Sequence, residues 1–284
     1  MQTSEQTVEK RGVVMEKKER ILLFAQGYED LVLYHALKDV ENGFYVDVGA
    51  NSPWECSVTK LFYERGWHGI NIEPIEEQYQ ALCEDRTRDL NIFAGVGNKE
   101  TELEFVVDEG CSSFDLGVIA GMEQSGRTLE YRKMRVRQLD SILEEKLPDH
   151  VRDIHFLKID VEGFEREVLE GLSLDKYRPW VITLEAAEPG SRVPNFKEWE
   201  PILLANGYTF ACDQFVNRYY VANERQELKK RFVGVEALIG KYDLYFVHRS
   251  PYRANESVPI LWLIKSTILE TLSRIKRKVR GFFR

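Results

Sequence analysis

Residues 43–51 read Gly-Phe-Tyr-Val-Asp-Val-Gly-Ala-Asn and predict the first strand of a parallel sheet. The apolar run 44–48 has the length of a buried strand, and it ends at Gly49, where the backbone can approach a ligand closely. A helical pattern over 57–65 follows, and a second short apolar run covers 69–72. The order strand, helix, strand predicts parallel pairing, with the crossover helix packed on one face of the sheet.

The same alternation continues to about residue 250. Further strands are expected at 90–96, 102–107, 135–137, 154–159, 180–184, 208–212, 219–222 and 243–247. Further helices are expected at 31–38, 75–86, 139–146, 164–171 and 194–206. Residues 108–132 are weakly periodic, and they are expected to be mostly loop with room for one helix. We therefore predict an α/β fold, a mostly parallel sheet with helices on both faces. An N-terminal helical segment (1–40) precedes this domain (41–250), and a C-terminal helix (251–284) follows it.

Composition and charge narrow the function classes. The chain has 284 residues, of which 43% are hydrophobic, so it can bury a sizeable core. Its net charge of −8 disfavours nucleic-acid binding, because phosphate contacts need clustered cations. The positive charge is concentrated in residues 265–284, which hold seven lysines and arginines against one glutamate.

The basic C-terminal segment also has an apolar stripe. Apolar residues recur there at spacings of three and four: Leu261, Ile264, Ile268, Leu272, Ile275, Val279 and Phe282. This pattern predicts an amphipathic helix that lies on an anionic membrane surface. A helix docked on the domain, or one that binds a second copy or a partner, explains the same pattern.

The cysteines and the N-terminus indicate the compartment. None of the four cysteines forms a C-x-x-C pair, and residues 1–20 lack the apolar segment of a secretory signal. We expect a reduced, cytoplasmic protein that is peripheral at the inner face of the membrane if its C-terminal helix binds there. The oligomeric state stays open.

Candidate ligand-binding residues follow the strands, because ligands of parallel sheets bind at the carboxyl ends of the strands. Asp47, Gly49 and Asn51 end the first strand, and Glu73 ends the second. An acidic residue at this spacing from the glycine suits the two hydroxyls of a ribose. The single glycine lacks the pyrophosphate cradle of a dinucleotide motif, so the sequence favours an S-adenosyl compound over NAD.

A second acidic group follows two later strands. Asp160 and Glu162 come directly after the run 154–159, and Glu185 follows the run 180–184. Carboxylates at neighbouring strand ends can share a divalent cation through their oxygens. They can instead leave one carboxylate as a general base whose pKa the other raises. Both readings stay open, with Asp160 and Glu185 as the metal ligands in the first.

At these positions the sequence resembles the FkbM-type methyltransferases, which use S-adenosylmethionine to methylate hydroxyls, and in particular the glycan-associated members. The resemblance extends over about residues 23–248. The stretches that carry it are 25–30, 43–51, 57–59, 66–67, 71–74, 157–163, 184–189, 199–200, 206–208 and 217–221.

The resemblance implies a Rossmann-like class I methyltransferase fold and a cofactor site. Asp47, Gly49 and Asn51 would line the methionine end of the cofactor, and Glu73 would bind its ribose. Val96 and Gly97 would lie near the adenine. The further cofactor-binding residues that it implies are Gln26, Asp30, Ser57 and Asp160.

The resemblance also implies an acceptor, a sugar hydroxyl of a glycan or glycolipid. Our hypothesis makes Asp160 the base or metal ligand, with Glu185 beside it and Glu162 as third choice. The candidate acceptor-binding residues are Ser112, Ser113, Asn217, Arg218 and Tyr219. A solvated loop at the two serines and strand packing of the tyrosine are the competing explanations. A small-molecule O-methyltransferase and a non-catalytic module that binds the S-adenosyl ligand remain alternative functions.

Overall fold

The computed structural model describes residues 18–108, 112–250 and 253–259. Within them the strands are β1 (Arg20–Leu23), β2 (Phe44–Val48), β3 (His68–Glu73), β4 (Leu90–Phe93), β5 (Gly95–Val96), β6 (Thr101–Val107), β7 (Glu130–Arg137), β8 (Phe156–Ile159), β9 (Val181–Glu185), β10 (Tyr208–Gln214), β11 (Asn217–Ala222), β12 (Asp243–Ser250) and β13 (Arg253–Pro259). The α-helices are α1 (Glu29–Leu37), α2 (Lys60–Glu64), α3 (Glu76–Asp85), α4 (Leu116–Gln124), α5 (Leu139–Lys146), α6 (Glu165–Glu170), α7 (Glu200–Ala205), α8 (Gln226–Lys229) and α9 (Val235–Ile239).

A seven-stranded central sheet confirms the prediction of a largely parallel α/β fold. Its strand order is β10-β11-β9-β8-β2-β3-β4. Strands β2, β3, β4, β8 and β9 pair in parallel, whereas β11 is antiparallel to both β9 and β10. The chain proceeds outward from β2 to β4 and then returns to the other side of β2 as β8. The carboxyl ends of β2 and β8 therefore flank the topological switch point, where open α/β sheets bind ligands.

Burial explains why the central strands were recognisable in the sequence. All residues of β2 and β8 are buried, which is typical of parallel strands covered on both faces. Alternate residues feed two cores. Tyr45 and Phe156 stack in the core on one face, with ring centroids 5.6 Å apart, and Val46 and Leu157 join the core on the other.

The third predicted strand, 90–96, is in fact two strands. β4 pairs with β3 in the central sheet, whereas β5 pairs with β7 in a separate sheet that β6 completes. The chain crosses between the sheets at Ala94, which is buried, whereas Phe93 before it is exposed. Because the hydrophobic run is continuous across the crossing, its pattern did not reveal the break. A helix, α4, forms within the stretch that was expected to be mostly loop.

The two ends of the chain differ from the predictions where the structure describes them. The expected N-terminal helix is present as α1, but β1 precedes it and pairs in parallel with β12. Ile21 and Leu23 are buried and their neighbours are exposed, the alternation of a strand covered on one face. Residues 1–17 lie outside the described residues.

A strand also replaces the start of the predicted C-terminal helix. Residues of β13 pair antiparallel with β12, so the prediction that the helix begins at residue 251 is wrong. Residues 260–284, which hold the basic and apolar stripe, lie outside the described residues, and the helix there stays a prediction. Among the helices that the structure describes, none is long and apolar enough to cross a membrane.

Candidate active site

The turn after β2 is built around Gly49. Its φ of 75° lies in the left-handed region, and a Cβ atom at this position would come within 1.9 Å of the backbone oxygen of Asp160. The backbone N–H of Gly49 donates to the carbonyl of Ile72 at the end of β3. The ends of β2, β3 and β8 thus meet at one point, and only glycine fits there.

A buried lysine, Lys158, forms ion pairs with both Asp47 and Asp160. The ammonium of Lys158 lies 3.2 Å from Oδ1 of Asp47 and 3.4 Å from Oδ2 of Asp160, and it donates to the carbonyl of Gly49 at 2.8 Å. Burial lowers the pKa of Lys158, but the two carboxylates outweigh burial and raise it above its ordinary value. The sequence analysis gave this lysine no role. Its signal was a cation near the end of an otherwise apolar strand.

Asp47 itself is buried and held on both oxygens. Thr59, which precedes α2, donates its hydroxyl to Oδ2 of Asp47 at 3.0 Å, and Lys158 pairs with Oδ1. The carboxylate is 1% exposed. It holds Lys158, which in turn donates to the carbonyl of Gly49 in the turn after β2. A direct contact of Asp47 with a cofactor stays a prediction.

Glu73 is placed as a ribose-binding acid requires. Its Oε2 accepts the backbone N–H of Asn51 and its Oε1 that of Ile75, both at 2.7 Å. Each oxygen retains a second lone pair for a hydroxyl donor. Burial raises the pKa of Glu73 to about 7, and the two backbone hydrogen bonds oppose that rise. Asn51, whose φ is 50°, is exposed beside it.

The carboxylates of Asp160, Glu162 and Glu185 converge next to this turn. One oxygen of each lies within 4.8 Å of the others. Burial first, and then the charges of Asp160 and Glu162, raise the pKa of Glu185 to about 9, so Glu185 is protonated near neutral pH. Its Oε2 is buried and has no hydrogen-bond partner among the described residues. Asp160 is the accessible member of the pair, with a side chain 40% exposed.

Two residues that are far apart in the sequence, Glu29 and Asn217, lie beside this group. The sequence analysis did not assign Glu29 to the site. Glu29, at the start of α1, accepts a hydrogen bond from the side-chain amide of Asn217 at 2.8 Å. Asn217 begins β11 and is paired in register with Glu185. Burial raises the pKa of Glu29, and the charge of Asp160 contributes to that rise. A carboxylate two residues from a glycine gave no sequence signal, because its partner lies far along the chain.

Two predicted cofactor residues serve the scaffold in this structure. Ser57 is buried, and its hydroxyl accepts a hydrogen bond from Arg86 at 2.9 Å. Asp30 is fully buried, and its carboxylate accepts the backbone N–H groups of Phe24, Ala25 and Leu31. Neither side chain presents a free polar atom at the strand ends.

The remaining cofactor predictions fall at different places. Gln26 is exposed in the loop before α1. Val96 is buried in β5, and a Cβ on Gly97 would contact the rings and methyl groups of Phe164 and Val136. Val96 and Gly97 therefore pack between the central and the small sheet, and a contact of either residue with an adenine stays a prediction.

Packing corrects the acceptor-binding prediction for Tyr219 on β11, whereas those for Asn217 and Arg218 stay predictions. Tyr219 is fully buried, and its ring lies 5.6 Å from that of Phe232, so it cannot stack on a sugar. Arg218 donates to Glu200 at 2.9 Å, and its guanidinium lies over the ring of Phe196. Neighbouring residues of a strand point to opposite faces, and both faces of β11 are covered.

The two serines close a loop beside the acidic group. The hydroxyl of Ser112 accepts the N–H of Asp108 and donates to the carbonyl of the same residue. Ser113 is buried and donates to the backbone carbonyl of Glu162 at 2.7 Å. The loop therefore contacts the acidic strand end, whereas acceptor binding by these serines stays a prediction.

A glycine turn at the switch point, with a buried glutamate at the end of the next strand, is the arrangement in which open α/β sheets hold nucleoside-type cofactors. The family model described as the methyltransferase FkbM domain matches residues 47–210, more than half of the chain. This chain belongs to that family, as its sequence indicated. The family is one of methyltransferases, and S-adenosylmethionine is the general donor of such enzymes.

The chain is also similar to a solved structure of the same family. The crystal structure of methyltransferase FkbM from Methylobacillus flagellatus KT is 18% identical to this chain, with a TM-score of 0.42. The match covers 70% of this chain and 48% of that one, so this chain spans about half the length of that protein. A search of curated proteins returns no match.

Proposed function

We propose that this chain transfers the methyl group of S-adenosylmethionine to a hydroxyl of a sugar in a glycan or glycolipid. The observation that carries the proposal is the position of Asp160. It is an accessible carboxylate at the carboxyl edge, one strand from the glycine turn and next to the protonated Glu185. An acceptor hydroxyl needs such a group, because it is a weak nucleophile until its proton can leave.

The residues around the switch point fit the donor. When bound, S-adenosylmethionine supplies a methyl group that is already activated by the sulfonium. Glu73 would accept the ribose hydroxyls, and glycine at position 49 allows the turn after β2 to pack directly against the backbone of Asp160. The protein then contributes mainly by positioning donor and acceptor.

The proton of the acceptor has a defined destination in this scheme. As the hydroxyl oxygen forms its bond to the methyl carbon, the carbon–sulfur bond breaks and Asp160 takes the proton. Lys158 holds the carboxylate of Asp160 in place, 3.4 Å from its Oδ2. Glu185 is a positioning residue, because its own proton prevents it from acting as the base near neutral pH.

A divalent cation on Asp160 and Glu185 is our second proposal for activating the hydroxyl. The spacing of the three carboxylate oxygens favours it. The ammonium of Lys158 next to Asp160 weighs against it, because a dication would be repelled. Activity that survives excess chelator would eliminate the metal, and activity that chelation abolishes and Mg²⁺ restores would replace the general-base scheme.

Two other functions and the cellular setting remain proposals of lower rank. A small-molecule hydroxyl as acceptor would use the same residues. A non-catalytic module would bind the donor without transferring its methyl group. We also propose a cytoplasmic location, with membrane contact through residues 260–284, which lie outside the described residues. Vesicle co-sedimentation of the full chain and of a version truncated after residue 259 tests that contact.

The decisive experiment replaces Asp160 with Asn. Transfer of labelled methyl from the donor to a glycoconjugate extract should fall by at least about a hundredfold, the usual contribution of a general base. Calorimetry should show unchanged binding of S-adenosylhomocysteine. Asp149→Asn, at an exposed loop position, is the control and should behave as wild type. Wild-type turnover by Asp160→Asn would refute the assignment, and donor binding without transfer to any acceptor by the wild-type chain would favour the binding module.

A further inference from the structure

The acceptor side of the candidate active site carries more negative than positive charge. The carboxyl groups of Asp160, Glu162 and Glu185 converge there, and Glu29 lies close enough for Asp160 to raise its pKa. The cation among them, Lys158, is buried and ion-paired with two carboxylates, so its charge is compensated.

Neighbouring arginines do not reverse this balance. Arg218 is paired with Glu200 and covered by the rings of Phe196 and Phe210. Arg192 is exposed in the loop after β9, which also holds the exposed Glu188. The net potential at the strand ends therefore stays negative.

The pKa values of two titratable groups at the site are raised, as a negative potential requires. Burial, Asp160 and Glu162 together hold the proton on Glu185. Burial, Glu55 and Glu29 raise the pKa of the Cys56 thiol, which disfavours its anion. Such a potential attracts the sulfonium donor, which is a cation, and repels phosphate or carboxylate groups on an acceptor.

Three exposed apolar side chains belong to segments around the same strand ends. They are Leu116 at the start of α4, Val193 in the loop after β9, and Phe215 between β10 and β11, and they are 80%, 52% and 66% exposed. We call them the apolar rim. Apolar side chains that lie together beside a site form a surface for the apolar part of a ligand.

Backbone and packing contacts tie each rim segment to the acidic group. A Cβ on Gly163, next to Glu162, would lie 3.1 Å from Val118 of α4 and 3.5 Å from Pro189 of the loop after β9. The carbonyl of Val216, adjacent to Phe215, accepts the N–H of Ala186 at 2.7 Å. The three segments that carry the rim therefore each contact the backbone next to the acidic group.

We propose that the acceptor is an electrically neutral glycoside with an apolar group next to the sugar, and that sugar phosphates and nucleotide-linked sugars are rejected. The carboxylates would face the uncharged sugar, and the apolar rim would cover the aglycone or acyl group. This inference rests on the proposed sugar O-methylation and narrows its substrate class.

A labelling experiment separates the two claims. The full chain is incubated with methyl-labelled S-adenosylmethionine and with an extract of the cells in which this protein naturally occurs. The products are divided into a butanol phase, a neutral water-soluble fraction and an anion-exchange-bound fraction. We expect the label in the neutral part of the butanol phase, as a base-stable methyl ether on a sugar. Methyl ether confined to the anion-exchange-bound fraction would overturn the neutral-acceptor inference and leave sugar O-methylation standing. Label on nitrogen or in a base-labile ester, or no label in any fraction, would overturn both.

Surface variants test the apolar rim without disturbing the core. Leu116→Ser and Val193→Ser should each lower transfer into the butanol phase by about tenfold, the effect of losing about 1.4 kcal/mol of apolar contact. Leu204→Ser, at a leucine of α7 that is 50% exposed and so close to Val193 in exposure, is the control and should not change transfer. Unchanged transfer by both rim variants would overturn the role of the rim.

Discussion

The carboxylate of Glu29 accepts a hydrogen bond from the side chain of Asn217 at 2.8 Å, which joins the start of α1 to the start of β11. Glu29 is 8% exposed, and its other oxygen accepts the backbone N–H of Gly27. The pair therefore fixes the loop before α1 over the acidic strand ends. Both residues lie outside the stretch that matches the family.

Asn217→Ala should destabilise the protein by about 1–3 kcal/mol, because it leaves a buried carboxylate oxygen without its donor. Urea unfolding measures the change in the free energy of unfolding. In Glu29→Gln the side chain is neutral, so the Asn217→Ala change should cost less in that background. Equal losses in the two backgrounds would show that the two side chains are not coupled.

Gly49→Ala should destabilise the protein by about 2 kcal/mol or more and abolish donor binding. The new Cβ would overlap the backbone oxygen of Asp160 at 1.9 Å, and the φ of 75° is itself unfavourable for alanine. Gly121→Ala is the control. It lies inside α4 with no atom within 4 Å of its Cβ position, so it should stabilise the protein by about 0.5–1 kcal/mol. Thermal unfolding of both variants decides the point, and equal shifts would contradict the close approach.

Glu73→Gln should weaken the binding of S-adenosylhomocysteine by at least about tenfold. The amide keeps the shape of the side chain, but its nitrogen cannot accept a hydrogen bond from a ribose hydroxyl or from a backbone N–H. Glu76→Gln changes an exposed residue of α3 three positions further on and should leave the affinity unchanged. Titration calorimetry measures both affinities. If Glu73→Gln binds as tightly as wild type, the ribose assignment fails.

The part of the site that the sequence predicted is the part that parallel strands impose. Asp47, Glu73, Asp160 and Glu185 each lie at or near the end of a mainly apolar run, and parallel pairing brings such ends to one edge. Their common location therefore follows from periodicity alone. Their chemical roles still await the experiments above.

The parts that the sequence did not predict depend on contacts between distant residues. Ser57 has the residue type of a ligand-binding group, but its partner, Arg86, comes from the end of α3. Tyr219 has the residue type of a sugar platform, but Phe232 covers it from beyond β11. β1 was missed because a four-residue strand gives a weak pattern and pairs with β12, more than two hundred residues later.

Arg86 holds the loop that joins β2 to α2 through hydrogen bonds to two of its residues. The side chain is fully buried, and it donates to the carbonyl of Pro53 at 2.7 Å and to the hydroxyl of Ser57 at 2.9 Å. Arg86→Met should weaken donor binding about tenfold or more, since the loop also carries Asn51. Arg88→Met removes an exposed arginine from the same turn and serves as the control.

The milder variant Ser57→Ala separates loop position from folding. It removes one hydrogen bond of the loop, about 1 kcal/mol, so the fold should persist while donor affinity falls. Calorimetric affinity and thermal unfolding are measured on the same samples. If the affinity of Ser57→Ala stays at the wild-type value, Arg86 does not position the cofactor loop.

The stability of the protein should fall as the pH rises, and Glu185 should be a main cause. Its pKa in the folded state is about 9, against an ordinary value of 4.5, so the folded protein retains a proton that the unfolded chain has lost. The stabilisation is complete below about pH 4.5 and is lost progressively as the pH rises to about 9. Asp30, Glu73 and Glu165, each with a pKa raised to about 7 by burial, act in the same direction up to that pH.

Glu185→Gln isolates the contribution of this residue, because the amide does not titrate. The free energy of unfolding, measured in urea at pH 6, 7.5 and 9, should fall less steeply with pH in Glu185→Gln than in wild type. The two proteins should diverge over the whole range, because the unfolded chain has already lost this proton at pH 6 and the folded protein keeps it until the pH approaches 9. Glu188→Gln, at an exposed position three residues later, should keep the wild-type slope. Identical slopes for Glu185→Gln and wild type would mean that Glu185 is ionised in the folded protein, which would free it to act as the base in place of Asp160.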